Sequence, residues 1–368
     1  MKILLFGQHF SEYVWTLASG MPEDQQCIVM LSSDNFYAEV PPRMRDQLDR
    51  VNLFTIDMQG PRHIKKFFQG LYSFYKFLRD ERPDIVHFQE MPKGFSFVCW
   101  LFSQHYKRIL TVHDVVSHPG QDTQTSWRQE FIRRYMRETA QALIVHGASL
   151  AAMMENIAPH LMGKINIIPH PAMRTVKVHN GNLTGRNTLL FFGRIERYKG
   201  LHVLAEACLR LQERGVPFTL VVAGKGNEFE QNKPLLDAIV NKRIHHRHIA
   251  PEEIDHLFDD ADLVLLPYIE ASQSGVAAYA LGFGKACVAT RTGSLDEVIK
   301  HNFNGLLCSP NNPNQLADCI ETMLSNPDVM QQFGRNTHRL ATSSLSAANS
   351  ARMSVKVYSD VLNNQLLH

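Results

Sequence analysis

Short uninterrupted runs of apolar residues recur along this chain, each closed by a glycine, a charge or a polar turn. In the first half they are KILLFG (2–7), QCIVMLS (26–32), NLFTID (52–57), DIVHFQ (84–89), RILTVHD (108–114) and ALIVHG (142–147). Runs this short, rich in Ile, Val and Leu, predict strands buried on both faces, and therefore a parallel sheet. A second series contains TLLFFGR (188–194), FTLVVAG (218–224), RIHHRHI (243–249), ADLVLLPY (261–268), ACVATRT (286–292) and GLLCSP (305–310). Segments between the runs carry helix-type spacing, as in Leu201, Leu204, Ala205, Cys208 and Leu211. The stretch VKVHNGNLTGRN (176–187) is polar and turn-rich and separates the two series. The pattern predicts an α/β chain of two Rossmann-like domains, 1–175 and 176–345, with the boundary near 171–187. After about residue 313 the chain reads helical, with QLADCIETML at helix spacing, and 346–368 is expected to form a helix that returns to the first domain.

Composition narrows the class without changing this picture. A chain of 368 residues exceeds one ordinary core, which agrees with two domains. Net charge is +2 and neither half is strongly basic, which argues against nucleic acid as a partner. The six cysteines form no CxxC pair and several lie in apolar runs, so they read as reduced core residues of a cytoplasmic protein. The opening MKILLFGQHF reads as a first strand, and no run approaches the roughly 18 apolar residues of a membrane span.

Five stretches offer chemistry. In LLFFGRIERYKG a buried strand ends at Gly193, and Arg194 and Lys199 follow before a helix; two such cations suit a diphosphate, although any loop collects charge. In YIEASQSGV, residues Glu270, Ser272, Gln273, Ser274, Gly275 and Val276 lead from a strand into a helix of small residues. Ser272 or Ser274 can cap that helix, and its free amides would face an anion; the plain alternative is an ordinary capped helix. In LVVAGKGNE, Gly224 and Gly226 supply half of a dinucleotide fingerprint, and the opening LLFGQHFSE supplies only Gly7, so a nicotinamide enzyme is disfavoured. In LTVHDVVSHPG, His113 closes a strand, with Asp114 and His118 beside it as candidates for the acceptor side; a structural histidine is the alternative. No pair has metal-ligand spacing. Residues 62–79 place aromatics and Ile64 at helical spacing among Lys65, Lys66, Lys76 and Arg79, and 128–138 adds Arg128, Arg133, Arg134 and Arg137. These two stretches suggest a peripheral membrane contact, weighed against a sheet-packed helix with snorkelling lysines.

From about 188 to 340 the chain resembles the retaining glycosyltransferases of family 4. The resemblance rests on FFGRIERYKGLHVLAEA, LVVAGKG, ADLVLLPY and LGFGKACVATRTGSLDEVIKHNFNGLL in order; the first half matches more loosely through PDIVHF and TVHD. It implies a GT-B fold, two Rossmann-like domains with parallel sheets facing across a cleft. It further implies a nucleotide-sugar donor held by the second domain, a saccharide or lipid-linked acceptor, and no bound metal or other cofactor. Arg194 and Lys199 match the diphosphate-binding pair of the family. Gly7 and Gln8 match the loop near the transferred sugar, and His113 matches a histidine at the reaction centre. His248 and Ile249 fall where the backbone reads the base. The family has two glutamates eight residues apart; here Ala271 and Tyr279 occupy those places, with Glu270 one residue off register. SQSGV looks like a family variant in which Ser274, Gly275 and Val276 keep phosphate contacts, while Tyr279 meets the ribose or sits in the core. The implied activity is hexosyl transfer with retention, in polysaccharide, lipopolysaccharide or glycolipid synthesis, in the cytoplasm and potentially at the inner face of its membrane. Two alternatives stand beside it: a nucleotide-sugar 2-epimerase-like isomerase, and a member that binds nucleotide sugar without turnover.

Overall fold

A computed structural model describes residues 1–45, 51–58, 63–116, 126–175, 183–271 and 273–363. Seven strands form the first sheet: β1 (Lys2–Gly7), β2 (Gln26–Ser32), β3 (Asn52–Ile56), β4 (Ile85–Gln89), β5 (Lys107–Val112), β6 (Ala142–Val145) and β7 (Ile165–Ile167). Six form the second: β8 (Thr188–Phe192), β9 (Thr219–Gly224), β10 (Lys242–His246), β11 (Leu263–Leu266), β12 (Ala286–Thr290) and β13 (Gly305–Cys308). All pairings are parallel. The short strand β7 carries no long apolar run and was not expected from the sequence. The run 243–249 was expected as a strand throughout, yet β10 ends at His246, because the chain turns there toward Pro251 and the helix Pro251–Asp260.

The described residues of 1–117, 124–171 and 346–368 belong to one compact unit, and those of 172–345 to the other. In the first unit β1 is central, and Ile3, Leu4, Leu5 and Phe6 are fully buried. Ile3 and Leu5 face one apolar layer and Leu4 and Phe6 the other, as the two-residue period of a strand requires. The helix Ala347–Leu362 contributes Ala351, Val357, Tyr358 and Val361 to the layer of Ile3 and Leu5. Its Tyr358 hydroxyl lies 2.6 Å from His87 Nδ1, and His87 Nε2 lies 2.7 Å from Thr111 Oγ1. This polar chain ties the carboxy-terminal helix to β4 and β5.

The sheet orders are β3-β2-β1-β4-β5-β6-β7 and β10-β9-β8-β11-β12-β13. In each, the direction of strand addition reverses beside the first strand, between β1 and β4 and between β8 and β11. Loops leaving the carboxyl ends of strands diverge at such a point and open a crevice for ligands. The topology therefore marks two places in advance: the loops after β1 and β4 in the first unit, and those after β8 and β11 in the second.

Candidate functional site

At the reversal point of the second unit, three loops meet closely. Gly224 closes β9 at φ 149°, and a Cβ there would stand 1.8 Å from the Gly193 carbonyl oxygen. Gly200 adopts φ 70°, and a Cβ there would stand 1.9 Å from the Pro267 oxygen. Both positions require glycine for conformation and for space. The Ile195 amide donates to Lys225 O at 3.0 Å, and the Ile269 amide donates to Tyr198 O at 2.7 Å. The loop after β8 is thus stitched to the loops after β9 and β11.

This stitching sets the cations. Arg194 is exposed, and its Nη2 donates to the Tyr198 hydroxyl at 3.2 Å. Lys199 is only 8% exposed, with Nζ 3.8 Å from the Tyr268 ring centroid. A lysine that buried against an aromatic face is not a solvated loop cation, whereas Arg194 still fits that plainer description. The Tyr268 hydroxyl lies 2.9 Å from Ser274 Oγ, which accepts from the Ala277 amide at 3.2 Å. Ser274 is therefore the N-cap of the helix Gly275–Gly282. Lys199, Tyr268, Ser274 and the first turn of the helix form one continuous chain. The amides of Gly275 and Val276 fall in that turn, where no earlier helical carbonyl exists to accept from them. Burial raises the Tyr268 phenol above its ordinary value, so it stays a neutral hydrogen-bonding link.

The other expected donor contacts separate. Glu270 is exposed in the loop after β11. Gln273 is half-buried, and its Oε1 has no partner among the described residues. Ser272 and His118 lie outside the described residues. Ile249 is buried in the apolar cluster of Phe192 and Phe258, whereas His248 beside it is exposed. Tyr279 packs edge-on to Phe192, with centroids 5.9 Å apart, and against Phe258 at 5.7 Å. Arg174 lies over the Tyr279 ring at 5.2 Å, while its Nη1 donates to Pro251 O at 2.5 Å and to Asp255 Oδ1 at 3.1 Å. Tyr279 is half-buried, with one part of its ring packed on the apolar cluster. Arg174 gave no signal in the sequence, because it lies outside every motif and reaches Tyr279 only through folding.

In the first unit His113 follows β5 and is 2% exposed. Phe10, held at φ 63°, stacks on the imidazole with centroids 3.9 Å apart. His113 Nε2 lies 2.9 Å from Gln89 Oε1. Around it stand Tyr13, His146 and His170, with His146 at 5.1 Å from both His113 and His170. His146 Nδ1 donates to Ile168 O at 3.0 Å, which leaves Nε2 as an acceptor. Burial pulls His146 down to about 3 and His170 to about 4, and holds His113 well below the ordinary imidazole value. All three are neutral at pH 7. Asp114 is half-buried, and its carbonyl accepts from Arg137 Nη2 at 3.1 Å. Gln8 is buried, with Nε2 donating to Met58 O at 3.2 Å and Oε1 accepting from Ser96 Oγ at 2.8 Å. Gly7 is confined by Leu31 and Val14.

The arginines of 128–138 do not form one surface. Arg137 is buried and makes a two-pronged pair with Glu90, at 2.6 and 2.7 Å. Arg133 also turns toward Glu90, at 3.6 Å. A buried carboxylate needs such partners, and it draws both side chains inward. Arg128 and Arg134 remain exposed. The helix Ile64–Glu81 is divided: Leu71, Phe74, Phe77 and Leu78 are buried, while Ile64, Phe68, Tyr72 and Tyr75 are at least half exposed. Among the described residues no helix is long and apolar enough to cross a membrane, and no group of His, Cys, Asp and Glu could hold a metal ion.

Known proteins agree with this architecture. The family described as Glycosyl transferases group 1 matches residues 174–340, and Glycosyltransferase Family 4 matches residues 11–172. D-inositol 3-phosphate glycosyltransferase of Pseudarthrobacter chlorophenolicus is 32% identical over 222 residues, 54% of this chain and 53% of that protein. Glycogen synthase of Mycobacterium tuberculosis is 24% identical over 290 residues, 76% of this chain and 69% of that protein. The chain thus spans about half the length of the first relative and about two thirds of the second. Sucrose-phosphate synthase from Thermosynechococcus elongatus superposes with a TM-score of 0.75 at 16% identity, over 99% of this chain and 100% of that one. HepE of Anabaena, solved in complex with UDP, superposes with 0.68 at 16% identity, over 98% and 100%. At these identities the structural likeness carries the fold alone: two parallel-sheet α/β units of the GT-B kind. With both family matches in sequence along the chain and that fold beneath them, the protein belongs to the glycosyltransferases of the group 1 and family 4 type.

Proposed function

We propose that this protein transfers a hexose-type sugar, with retention of configuration, from a nucleotide diphosphate donor to a saccharide or lipid-linked acceptor. The observation that carries the reading is the chain Lys199–Tyr268–Ser274 at the N-terminus of the helix Gly275–Gly282, with Arg194 on the same loop. Charge accumulates on the diphosphate as the sugar departs. A buried ammonium, a guanidinium and helix amides fixed beforehand stabilise that charge more in the transition state than in the ground state. The departing diphosphate itself takes the proton of the attacking acceptor hydroxyl, and the new glycosidic bond forms on the face the diphosphate leaves. No carboxylate is assigned as nucleophile and no resident metal is invoked. The HepE structure with UDP supports a nucleotide in this fold.

The test is turnover of uridine, guanosine and adenosine diphosphate sugars by the wild type and by Arg194→Ala/Lys199→Ala. Loss of transfer and of donor hydrolysis by roughly a thousandfold or more is expected for the double variant, since two charge-stabilising donors are removed. Equal turnover would sink the assignment. Incubation with donor alone separates the epimerase reading, which yields an isomerised nucleotide sugar rather than free nucleotide.

The exposed edge of the helix Ile64–Glu81 supports a second part of the proposal, contact with an anionic membrane. Ile64, Phe68, Tyr72 and Tyr75 lie about one turn apart along one stripe, with Arg79 in it and Lys65 and Lys76 beside it.

A further inference from the structure

The six cysteines of the chain fold into two different situations. Cys27, Cys99, Cys208 and Cys287 lie in the apolar layers of the two sheets. Burial raises all four thiols, Cys27 and Cys287 to about 12. A thiol held protonated and away from solvent is inert. Cys308 and Cys319 differ. Cys308 is the last residue of β13, the edge strand of the second sheet, and Cys319 stands in the helix Pro313–Leu324, which packs on that strand. Cys308 belongs to the apolar cluster beneath the helix, and Cys319 packs on the same cluster while staying partly open to solvent. The fold thus brings one buried and one accessible thiol together, and their side chains hydrogen-bond to each other.

The surroundings give the two sulfurs different roles. The hydrogen bond from Cys308, and after it the nearby Arg291 charge, favour the Cys319 thiolate, so this thiol is lowered despite its partial burial and the adjacent Asp318. Asp318 is itself drawn to Arg214, at 2.8 Å. Cys308 is raised, chiefly by the same bond to Cys319, and keeps its proton. An attacking sulfur therefore faces solvent, with a protonated sulfur directly behind it. Hydrogen-bonded sulfurs stand one short side-chain movement from the roughly 2.05 Å of a disulfide.

We propose that Cys319 and Cys308 form a reversible oxidation site for hydroperoxides, closing a disulfide between the helix Pro313–Leu324 and β13. Cys319 Sγ attacks one peroxide oxygen, the O–O bond breaks, and the other oxygen leaves as an alcohol, or as water, with the thiol proton. The sulfur gives up two electrons to the peroxide and becomes a sulfenic acid. Cys308 Sγ then attacks Cys319 Sγ, the S–O bond breaks, and the hydroxide departs as water with the Cys308 proton. Two thiols and one hydroperoxide give one disulfide, one alcohol and one water. The site is independent of the glycosyl-transfer reading, since neither cysteine lies in the diphosphate loops.

The experiment treats the full chain with a small excess of hydrogen peroxide, digests it without reductant and reads the peptides by mass spectrometry. Wild type, Cys308→Ser and Cys319→Ser are compared, each with and without dimedone as a trap for sulfenic acid. The wild type is expected to yield a peptide pair joined through Cys308 and Cys319, lighter by two hydrogens than the separate peptides and released by dithiothreitol. Cys27, Cys99, Cys208 and Cys287 remain free thiols. In Cys308→Ser the sulfenic acid has no partner, and Cys319 is recovered as the dimedone adduct; in Cys319→Ser, Cys308 stays a thiol. The proposal is overturned if the wild type keeps both thiols, if the cross-link joins another pair, if Cys319 advances to a sulfinic acid while Cys308 stays free, or if Cys319→Ser still oxidises at Cys308. The wild type decides the cross-link by itself, so a variant that fails to fold leaves the test intact.

Discussion

Acid should loosen the first unit, and the buried imidazoles set the size of the effect. His87 and His146 are buried and His170 is half-buried, and burial lowers them from 6.5 to about 3, 3 and 4. In the unfolded chain each takes up a proton as pH falls through 6.5; in the folded chain each refuses it until about 3 to 4. The unfolded state therefore binds more protons, and stability falls as pH drops through that window. Between pH 7.5 and pH 5 each histidine costs about 2 kcal/mol, or about 6 kcal/mol for the three. Glu39 acts in the opposite sense. Burial raises its carboxyl to about 7, so the folded state is relieved of a buried charge as it protonates, returning about 2 kcal/mol over the same range. These four groups give a net loss of about 4 kcal/mol, to which His9 and His113, also lowered, add in the same direction, and that is a large part of the roughly 5–15 kcal/mol that stabilises an ordinary domain. All three tryptophans, Trp15, Trp100 and Trp127, belong to the first unit, so their fluorescence follows this unit alone. Urea titrations at pH 7.5 and pH 5 should show its midpoint falling sharply, and His146→Phe should remove about one third of what His87, His146 and His170 contribute to that slope. An unfolding free energy that changes by less than about 1 kcal/mol between the two pH values would refute the neutral, buried histidine cluster.

Ser274→Ala removes the cap of the helix Gly275–Gly282 and should cost about 1 kcal/mol in the second unit, read by thermal unfolding, together with weaker nucleotide binding. Gly224→Ala should lower the melting temperature of that unit far more than Gly275→Ala, because a Cβ meets the Gly193 oxygen at 1.8 Å in the first case and nothing closer than 3.9 Å in the second. Tyr279→Ala opens the space between Phe192, Phe258 and Arg174, and about 3–5 kcal/mol of destabilisation is expected; a loss of donor affinity with unchanged stability would instead assign the ring to the ribose. Phe68→Ser/Tyr72→Ser should leave the fold intact and abolish sedimentation with vesicles rich in phosphatidylglycerol, while vesicles of phosphatidylcholine bind neither protein.

Much of the architecture was legible in the sequence for one physical reason. Strands buried on both faces must be almost wholly apolar, so runs such as KILLFG and ADLVLLPY announce themselves, whereas β3 and β10, at the sheet edges, are largely exposed although they too were expected as strands. Strand β7 escaped because three residues at a sheet margin need no such run. Arg194, Lys199 and the capped turn at Ser274 were also legible, since a strand end, a glycine and a charge are local facts. What only the tertiary structure decided was environment. Lys199 became a buried cation because Tyr268, far along the chain, folds over it. His113 became an enclosed, neutral ring because Phe10 stacks on it and His146 and His170 converge there. Arg137 turned inward because Glu90 is buried and must be paired, although its neighbours made the same stretch look like a basic surface. The sequence by itself determined where strands end and which chemical groups stand there. Which of those groups lose water, and therefore which keep charge or need a partner, depends on contacts between residues tens to hundreds of positions apart, and only folding supplies them.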